Sequence, residues 1–214
     1  MRRPPEIWLA RHGETEWSRT GRHTGRSDLP LTDHGAREAA ALGRALGGRR
    51  FALVLSSPLA RAWETCRLAG YGDVARKTDD LLEWDYGVVE GRTAAELRRD
   101  HAGWTIWTGD VPLGETIEAV SARAGRVLER AAAAGGDVLL FAHGHVLRIL
   151  TARWLGLEPR AARLFPLATA SIGVLGTEGA TRVMRAWNVG RVRDEEDAGA
   201  RGDPARAPHG TDRS

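Results

Sequence analysis

Three short apolar runs set the frame of the chain: Ile7–Ala10, Phe51–Leu55 and Asp137–Ala142. Each has the length of a strand, is bounded by turn residues and precedes a helix-like segment. After the second run Ser57 offers a helix cap, Pro58 suits a first helical position, and Ala62, Thr65, Cys66 and Ala69 share one helical face. A second helix is predicted from about Thr116 to Ala134, with Ile117, Val120, Ala124, Val127, Leu128 and Ala131 on one side. Leu31-Thr32-Asp33 opens a third, which reaches about Leu46, and two later strands are predicted at Ser171–Gly176 and Thr181–Trp187. Strands alternating with helices in this order predict an α/β fold on a largely parallel sheet.

From about Arg191 the pattern stops. Large apolar residues almost vanish and several Gly and Pro appear, so the expectation is one domain over residues 1–190 followed by a disordered tail over 191–214. A chain of 214 residues suits a single domain with such an appendage, and it contains no internal repeat.

Composition narrows the function class. Hydrophobic residues at 42% and charged residues at 28% are ordinary for a globular protein. The formal net charge is +3, the cations are all arginine except Lys77, and they are scattered with no basic run interleaved with aromatics. No nucleic-acid partner is expected. The single cysteine, Cys66, excludes an intramolecular disulfide and a Cys-rich zinc site and fits a reducing compartment. Arg2 and Arg3 imitate the start of a signal peptide, but the run Ile7–Ala10 is too short for its apolar region, and no stretch is long enough to span a bilayer. A cytoplasmic protein with no membrane partner is expected.

Ligands of open α/β sheets bind beyond the carboxyl ends of the strands. There the three best strands deliver Arg11-His12-Gly13, then Ser57-Pro58 with Arg61 in the following helix, then His143-Gly144-His145. Each motif alone is weak, since such triplets arise by accident and a lone histidine is more often structural. Their shared position brings two arginines and at least two histidines to one crevice. Guanidinium forks match the oxygens of a tetrahedral dianion, and helix N-termini add N–H donors, so the target reads as phosphate. A neutral histidine can attack it, and neighbouring arginines favour neutrality by penalising the imidazolium. Gly13 is expected to let the phosphate approach the backbone closely.

Four stretches in order, LARHGETEWS, SSPLARAWET, LLEWDYGVVEG and FAHGHVLR, resemble the histidine phosphatase superfamily, which includes cofactor-dependent phosphoglycerate mutases and many phosphatases. The resemblance covers about Ile7 to Trp187. It implies a three-layer α/β/α sandwich around a mostly parallel sheet with one antiparallel strand. It also implies that His12 is phosphorylated in turnover, that Arg11, Arg61 and His143 clamp the phosphoryl group, and that Glu83 protonates the leaving oxygen and then activates water. Asp85 and Glu90 lie near Glu83 in sequence and compete with it for that role. No cofactor and no metal are implied.

GRHTGRSDLPLT, EWDYGVVEG and AHGHVLR are more similar to the branch of acid phosphatases and sugar-bisphosphate phosphatases than to the mutases. On that pattern Ser18, Thr24, Gly25, Trp84, Asp85, Tyr86, Gly144, His145 and Arg148 surround the substrate together with Gly13, and Ser171 is a further candidate. Arg148 suits a second phosphate. The implied substrate is a small phosphorylated metabolite such as a sugar phosphate or bisphosphate, and a homodimer is compatible with the resemblance. A mutase must retain its product in a closed, water-poor site, and the segment between Gly91 and Gly114 is short for a large lid, which favours hydrolysis. A metal-dependent hydrolase on His143-x-His145 with His12 leaves Arg11 and Arg61 unexplained. A non-catalytic phosphate-sensing module has no need of the nucleophile and acid, both of which are present.

Overall fold

The computed structural model describes residues 4–109 and 111–190, so the segment from Arg191 that was expected to be a tail lies outside the described residues. Among the described residues six strands form one sheet: β1 (Ile7–Arg11), β2 (Leu53–Ser56), β3 (Arg76–Lys77), β4 (Val138–Ala142), β5 (Ile172–Glu178) and β6 (Thr181–Val189). Their order is β3-β2-β4-β1-β5-β6. β3, β2, β4 and β1 run parallel, β5 pairs antiparallel with β1, and β6 pairs antiparallel with β5, so β5 alone points the opposite way. The helices are α1 (Glu16–Arg19), α2 (Asp33–Leu46), α3 (Ala60–Leu68), α4 (Ala94–Asp100), α5 (Ile117–Ala133) and α6 (Gly144–Trp154).

The side-chain period of two sorts each central strand between two cores. Val138, Leu140 and Ala142 of β4 join Leu9, Leu55 and Leu175 beneath α5 and α6, while Leu139 and Phe141 join Ala10, Val54 and Ile172 beneath α2 and α3. The result is the three-layer α/β/α sandwich. β4 is buried along its whole length, as a parallel strand covered on both faces must be, which is why it reads as an unbroken apolar run. α5 buries the predicted face Ile117, Val120, Ala124, Val127 and Ala131, with Leu128 packed at its edge. Each of its larger side chains contributes about 1.5–3 kcal/mol by leaving water. Thr116 caps it by accepting the Ala119 N–H at 3.1 Å, and Thr32 caps α2 through the Gly35 N–H at 3.0 Å.

α3 departs from expectation. It begins at Ala60, and Ser57 does not cap it. The Ser57 N–H donates to the Phe141 carbonyl at 2.9 Å, which prolongs β2 and keeps Ser57 extended. The open end of α3 is served from a distant loop, where Asp28 Oδ1 accepts the Ala60 N–H at 2.7 Å. β1 is prolonged in the same way: the His12 N–H donates to the Ala142 carbonyl at 3.0 Å, and the Ala170 N–H donates to the His12 carbonyl at 3.0 Å. These bonds fix the segments that carry the candidate chemistry although they lie beyond the strands. Among the described residues no helix is long and apolar enough to cross a membrane.

Candidate active site

His12 sits just past β1 and is buried. Its Nδ1 lies 2.7 Å from the Gly13 carbonyl oxygen. A carbonyl can only accept, so Nδ1 carries the proton and Nε2 keeps its lone pair. Burial, and next the nearby charges of Arg61 and Arg11, hold the imidazole pKa well below its ordinary value. The ring is therefore neutral at pH 7, as a nucleophile must be.

The reason expected for Gly13 is corrected. A Cβ there would lie 2.2 Å from the Gly35 carbonyl oxygen, and the Gly13 N–H already donates to Thr65 Oγ1 at 3.0 Å. The glycine lets the loop pack on the start of α2; it does not open backbone to a phosphate.

Arg61 and His143 stand behind His12, both with no exposed surface. Arg61 Nε donates to His143 Nδ1 at 3.0 Å, which leaves His143 Nε2–H to donate to Ser57 Oγ at 2.8 Å. The remaining guanidinium nitrogens donate to the carbonyls of Ser27 at 2.7 Å, Thr24 at 3.1 Å and Gly25 at 2.9 Å. Arg61 thereby ties the 24–27 loop to α3 and places a buried charge beneath the site. Burial and the same arginines also hold the His143 pKa well below its ordinary value. The His12 and His143 ring centroids are 5.2 Å apart.

A cavity of about 190 Å³ opens in front of His12. Of the sequence-predicted residues, Arg11, His12, Ser18, Thr24, Glu83, Tyr86, Gly144, His145 and Arg148 line it. Arg61, His143, Gly13, Gly25, Trp84, Asp85 and Ser171 do not. Trp84 is turned into the core with its indole N–H on the Glu115 carbonyl at 2.8 Å, and Asp85 Oδ1 accepts the Gly87 N–H at 3.0 Å. The Gly25 N–H is held by Glu90, and Ser171 Oγ donates to the Ala168 carbonyl at 2.6 Å. A Cβ at Gly144 would lie 3.4 Å from the Arg11 guanidinium carbon, an ordinary van der Waals contact. Arg22 and His23 line the cavity as well, and were not singled out from the sequence.

The three acids differ in their partners. Glu90 accepts the backbone N–H groups of Gly25 and Ser27 at 2.9 and 3.1 Å and so holds a loop. Asp85 faces a turn. Glu83 alone borders the cavity. Its Oε1 accepts from the Trp84 and Val146 N–H groups and its Oε2 from the His145 N–H, all at 2.9 Å, which seats the carboxylate on the N-terminus of α6. Oε2, with a single amide, is the oxygen left able to exchange a proton.

Glu83 is held from behind by a buried cation that the sequence did not reveal. Arg123 of α5 forks onto Glu115 at 2.9 and 3.0 Å and also donates to the Glu83, Asp80 and Leu82 carbonyls. Forty residues separate Arg123 from Glu83, and no local pattern announces the pair.

Arg148 lies on the cavity wall, its guanidinium carbon 4.5 Å from the Trp107 ring centroid. Its Nε and one terminal nitrogen donate to the Ala162 and Arg163 carbonyls, both at 3.1 Å. Burial pushes its pKa down to about 10, so it stays cationic at neutral pH. Among the described residues no group of three or more His, Cys, Asp or Glu side chains could hold a metal ion. Arg61 and Ser57 occupy both nitrogens of His143, which removes that ring from the His-x-His ligand set.

Residues 7–190 match the sequence profile of the histidine phosphatase superfamily (branch 1). An acid phosphatase of Mycobacterium tuberculosis is 39% identical over 180 residues, covering 82% of this chain and 88% of that protein. The sedoheptulose 1,7-bisphosphatase of Saccharomyces cerevisiae is 33% identical over 185 residues, covering 72% and 68%. A solved open reading frame of Mycobacterium tuberculosis superposes with a TM-score of 0.82 at 37% identity, covering 87% of this chain and 98% of the other.

Proposed function

Because the chain belongs to the histidine phosphatase superfamily and has an acid phosphatase and a bisphosphatase among its relatives, we propose that it hydrolyses small phosphate monoesters through a phosphohistidine at His12. The observation that carries this reading is the tautomer of His12: Nδ1–H is bound to the Gly13 carbonyl, so the lone pair sits on Nε2 in a ring whose burial and arginine neighbours keep it neutral.

In the first step His12 Nε2 bonds to phosphorus as the ester P–O bond breaks. Glu83 Oε2, having taken up the proton that the substrate monoanion carries in, passes it to the leaving oxygen, while Arg11 faces the charge on the phosphoryl oxygens and Arg61 adds a buried positive charge from below. In the second step the Glu83 carboxylate takes a proton from water, the water oxygen bonds to phosphorus, and the N–P bond breaks to release phosphate. His143, neutral and held between Arg61 and Ser57, supports the nucleophile from 5.2 Å behind its ring. These assignments draw their support from the proximity of the groups and from the hydrogen-bond directions that fix their protons.

The substrate we propose is a sugar phosphate or bisphosphate, in line with the names of the relatives and with a cavity of about 190 Å³ that holds a small metabolite. Cys66 is buried, with a thiol pKa pushed up to about 12, and so is inert; this fits the cytoplasmic setting we propose. The test of the reaction class is a product analysis on 3-phosphoglycerate with a bisphosphoglycerate primer and on a set of sugar phosphates. Hydrolysis predicts free phosphate without isomerised product. Rapid formation of 2-phosphoglycerate with little phosphate release would make the protein a mutase instead.

A further inference from the structure

Two histidines border the cavity away from His12, and the hydrogen bonds on their far sides fix opposite roles for them. His23 Nδ1 lies 2.7 Å from the Arg92 carbonyl oxygen, so that nitrogen is the donor and Nε2 is an acceptor. His145 Nδ1 meets the hydroxyl of Tyr86. Tyr86 is 1% exposed, and among the described residues its hydroxyl has no other hydrogen-bond partner than this nitrogen. A buried O–H left undonated is costly, so the hydroxyl donates, His145 Nδ1 accepts, and Nε2–H becomes a donor. Burial, as the largest cause, lowers the pKa of both rings and raises that of the Tyr86 hydroxyl, which keeps all three neutral at pH 7.

The two rings are nearly parallel, with planes 8° apart and centroids 6.3 Å apart. Both rings border the same cavity, so one small substrate lies within reach of both. Neither ring is free to tumble. His23 is flanked edge-on by Tyr86 at 5.2 Å and Trp104 at 5.5 Å, and His145 by Trp107 at 4.9 Å.

A neutral acceptor and a neutral donor in one cavity do not suit a phosphate monoester dianion, because that group has no proton to give to His23. It matches a group that donates and accepts at once. We infer that His23 and His145 form a fixed acceptor–donor pair that reads one hydroxyl of the substrate, so the enzyme selects hydroxylated alkyl phosphates over their deoxy counterparts. This inference rests on the phosphatase reading above and refines its substrate class. A deoxy substrate excludes water from the pair without replacing its hydrogen bonds, which is the situation in which hydrogen-bonding sites discriminate most strongly.

Two experiments on the intact protein test it. The first compares kcat/KM for glycerol 3-phosphate, for 3-hydroxypropyl phosphate, which lacks only the middle hydroxyl, and for propyl phosphate, with 4-nitrophenyl phosphate as the control for phosphatase activity. The expected result is a loss of about tenfold or more on removing one of the hydroxyls, reduced toward unity in His23→Phe. Equal rates on all three alkyl phosphates with an active control would overturn the pair and leave the phosphatase reading intact; an inactive control would defeat that reading itself. The second needs no variant to fold and no turnover: long-range ¹H–¹⁵N correlation spectra at pH 7 report each ring tautomer. The pair requires His23 as Nδ1–H and His145 as Nε2–H, and either ring in the other tautomer or charged overturns it.

Discussion

Glu83→Gln separates the two jobs that the structure gives this side chain, because the amide keeps its shape and removes its proton chemistry. The carboxylate accepts three backbone N–H groups at 2.9 Å. A glutamine carbonyl can retain the two on Oε1, but its NH₂ has no lone pair for the His145 N–H. One buried donor left unpaired costs about 1–3 kcal/mol, and losing an anion from a helix N-terminus costs roughly 0.3–1 kcal/mol more. At 2–4 °C per kcal/mol for a domain of this size, the melting temperature should fall by roughly 3–15 °C, within what a domain of ordinary stability survives at 25 °C. The effect on catalysis is larger and selective. An alkoxide leaving group needs the proton, so kcat/KM on an alkyl phosphate, which reports phosphoryl transfer to His12, should fall roughly 10²–10⁴-fold. 4-Nitrophenolate leaves without help, so kcat/KM on 4-nitrophenyl phosphate should fall far less, while kcat falls on both because hydrolysis of the phosphohistidine still needs the Glu83 base. Steady-state assays on both substrates, beside a thermal melt, read all three quantities. Equal losses in kcat/KM on the two substrates would refute proton transfer by Glu83 and reduce it to a cap of α6.

Two further outcomes follow from the charges around the site. His12, His23, His143 and His145 all have depressed pKa values in the folded protein, so below about pH 6.5 the unfolded chain binds more protons and stability falls with pH. Each contributes up to about 1.4 kcal/mol per pH unit until its folded pKa is reached; urea unfolding should show stability falling from pH 7 to 5 and level above 7, and a flat profile would mean that these rings titrate in the fold as they do in the unfolded chain. The family pattern assigns Arg148 to a second phosphate, and on that reading Arg148→Ala should remove a roughly ten- to hundredfold preference in kcat/KM for a sugar bisphosphate over its monophosphate; an unchanged preference removes that role.

What the sequence disclosed and what it hid follow one physical line. β4 is an unbroken apolar run because both its faces are covered, and α5 shows its stripe because one side faces the core, so both are legible from pattern alone. β3 consists of Arg76 and Lys77, exposed and charged, and exists only through its pairing with Leu55 and Ser56. No local signal could give it. In the same way, strand ends and a small set of motifs pointed to Arg11, His12, Arg61 and His143, but their ranks did not. Arg61 and His143 are buried behind the nucleophile, and the loop that Arg61 holds is 34–37 residues away in sequence. The role of Ser57 was misread because a serine before a proline looks like a cap until the Phe141 carbonyl is seen to keep it in the sheet. Trp84 and Asp85 share a motif with Glu83, yet the Trp84 indole is drawn to the Glu115 carbonyl and Asp85 closes a turn on the Gly87 N–H. Motif membership therefore overstated what touches the cavity.

The central claim is that a neutral His12 takes the phosphoryl group on Nε2. Rapid quench with ³²P-labelled substrate tests it most directly. The account predicts protein-bound label within the first turnover that is labile to acid, stable to base, confined to the peptide containing His12 and absent in His12→Ala. Label that persists in His12→Ala, or turnover with no covalent label at any time point, would contradict it.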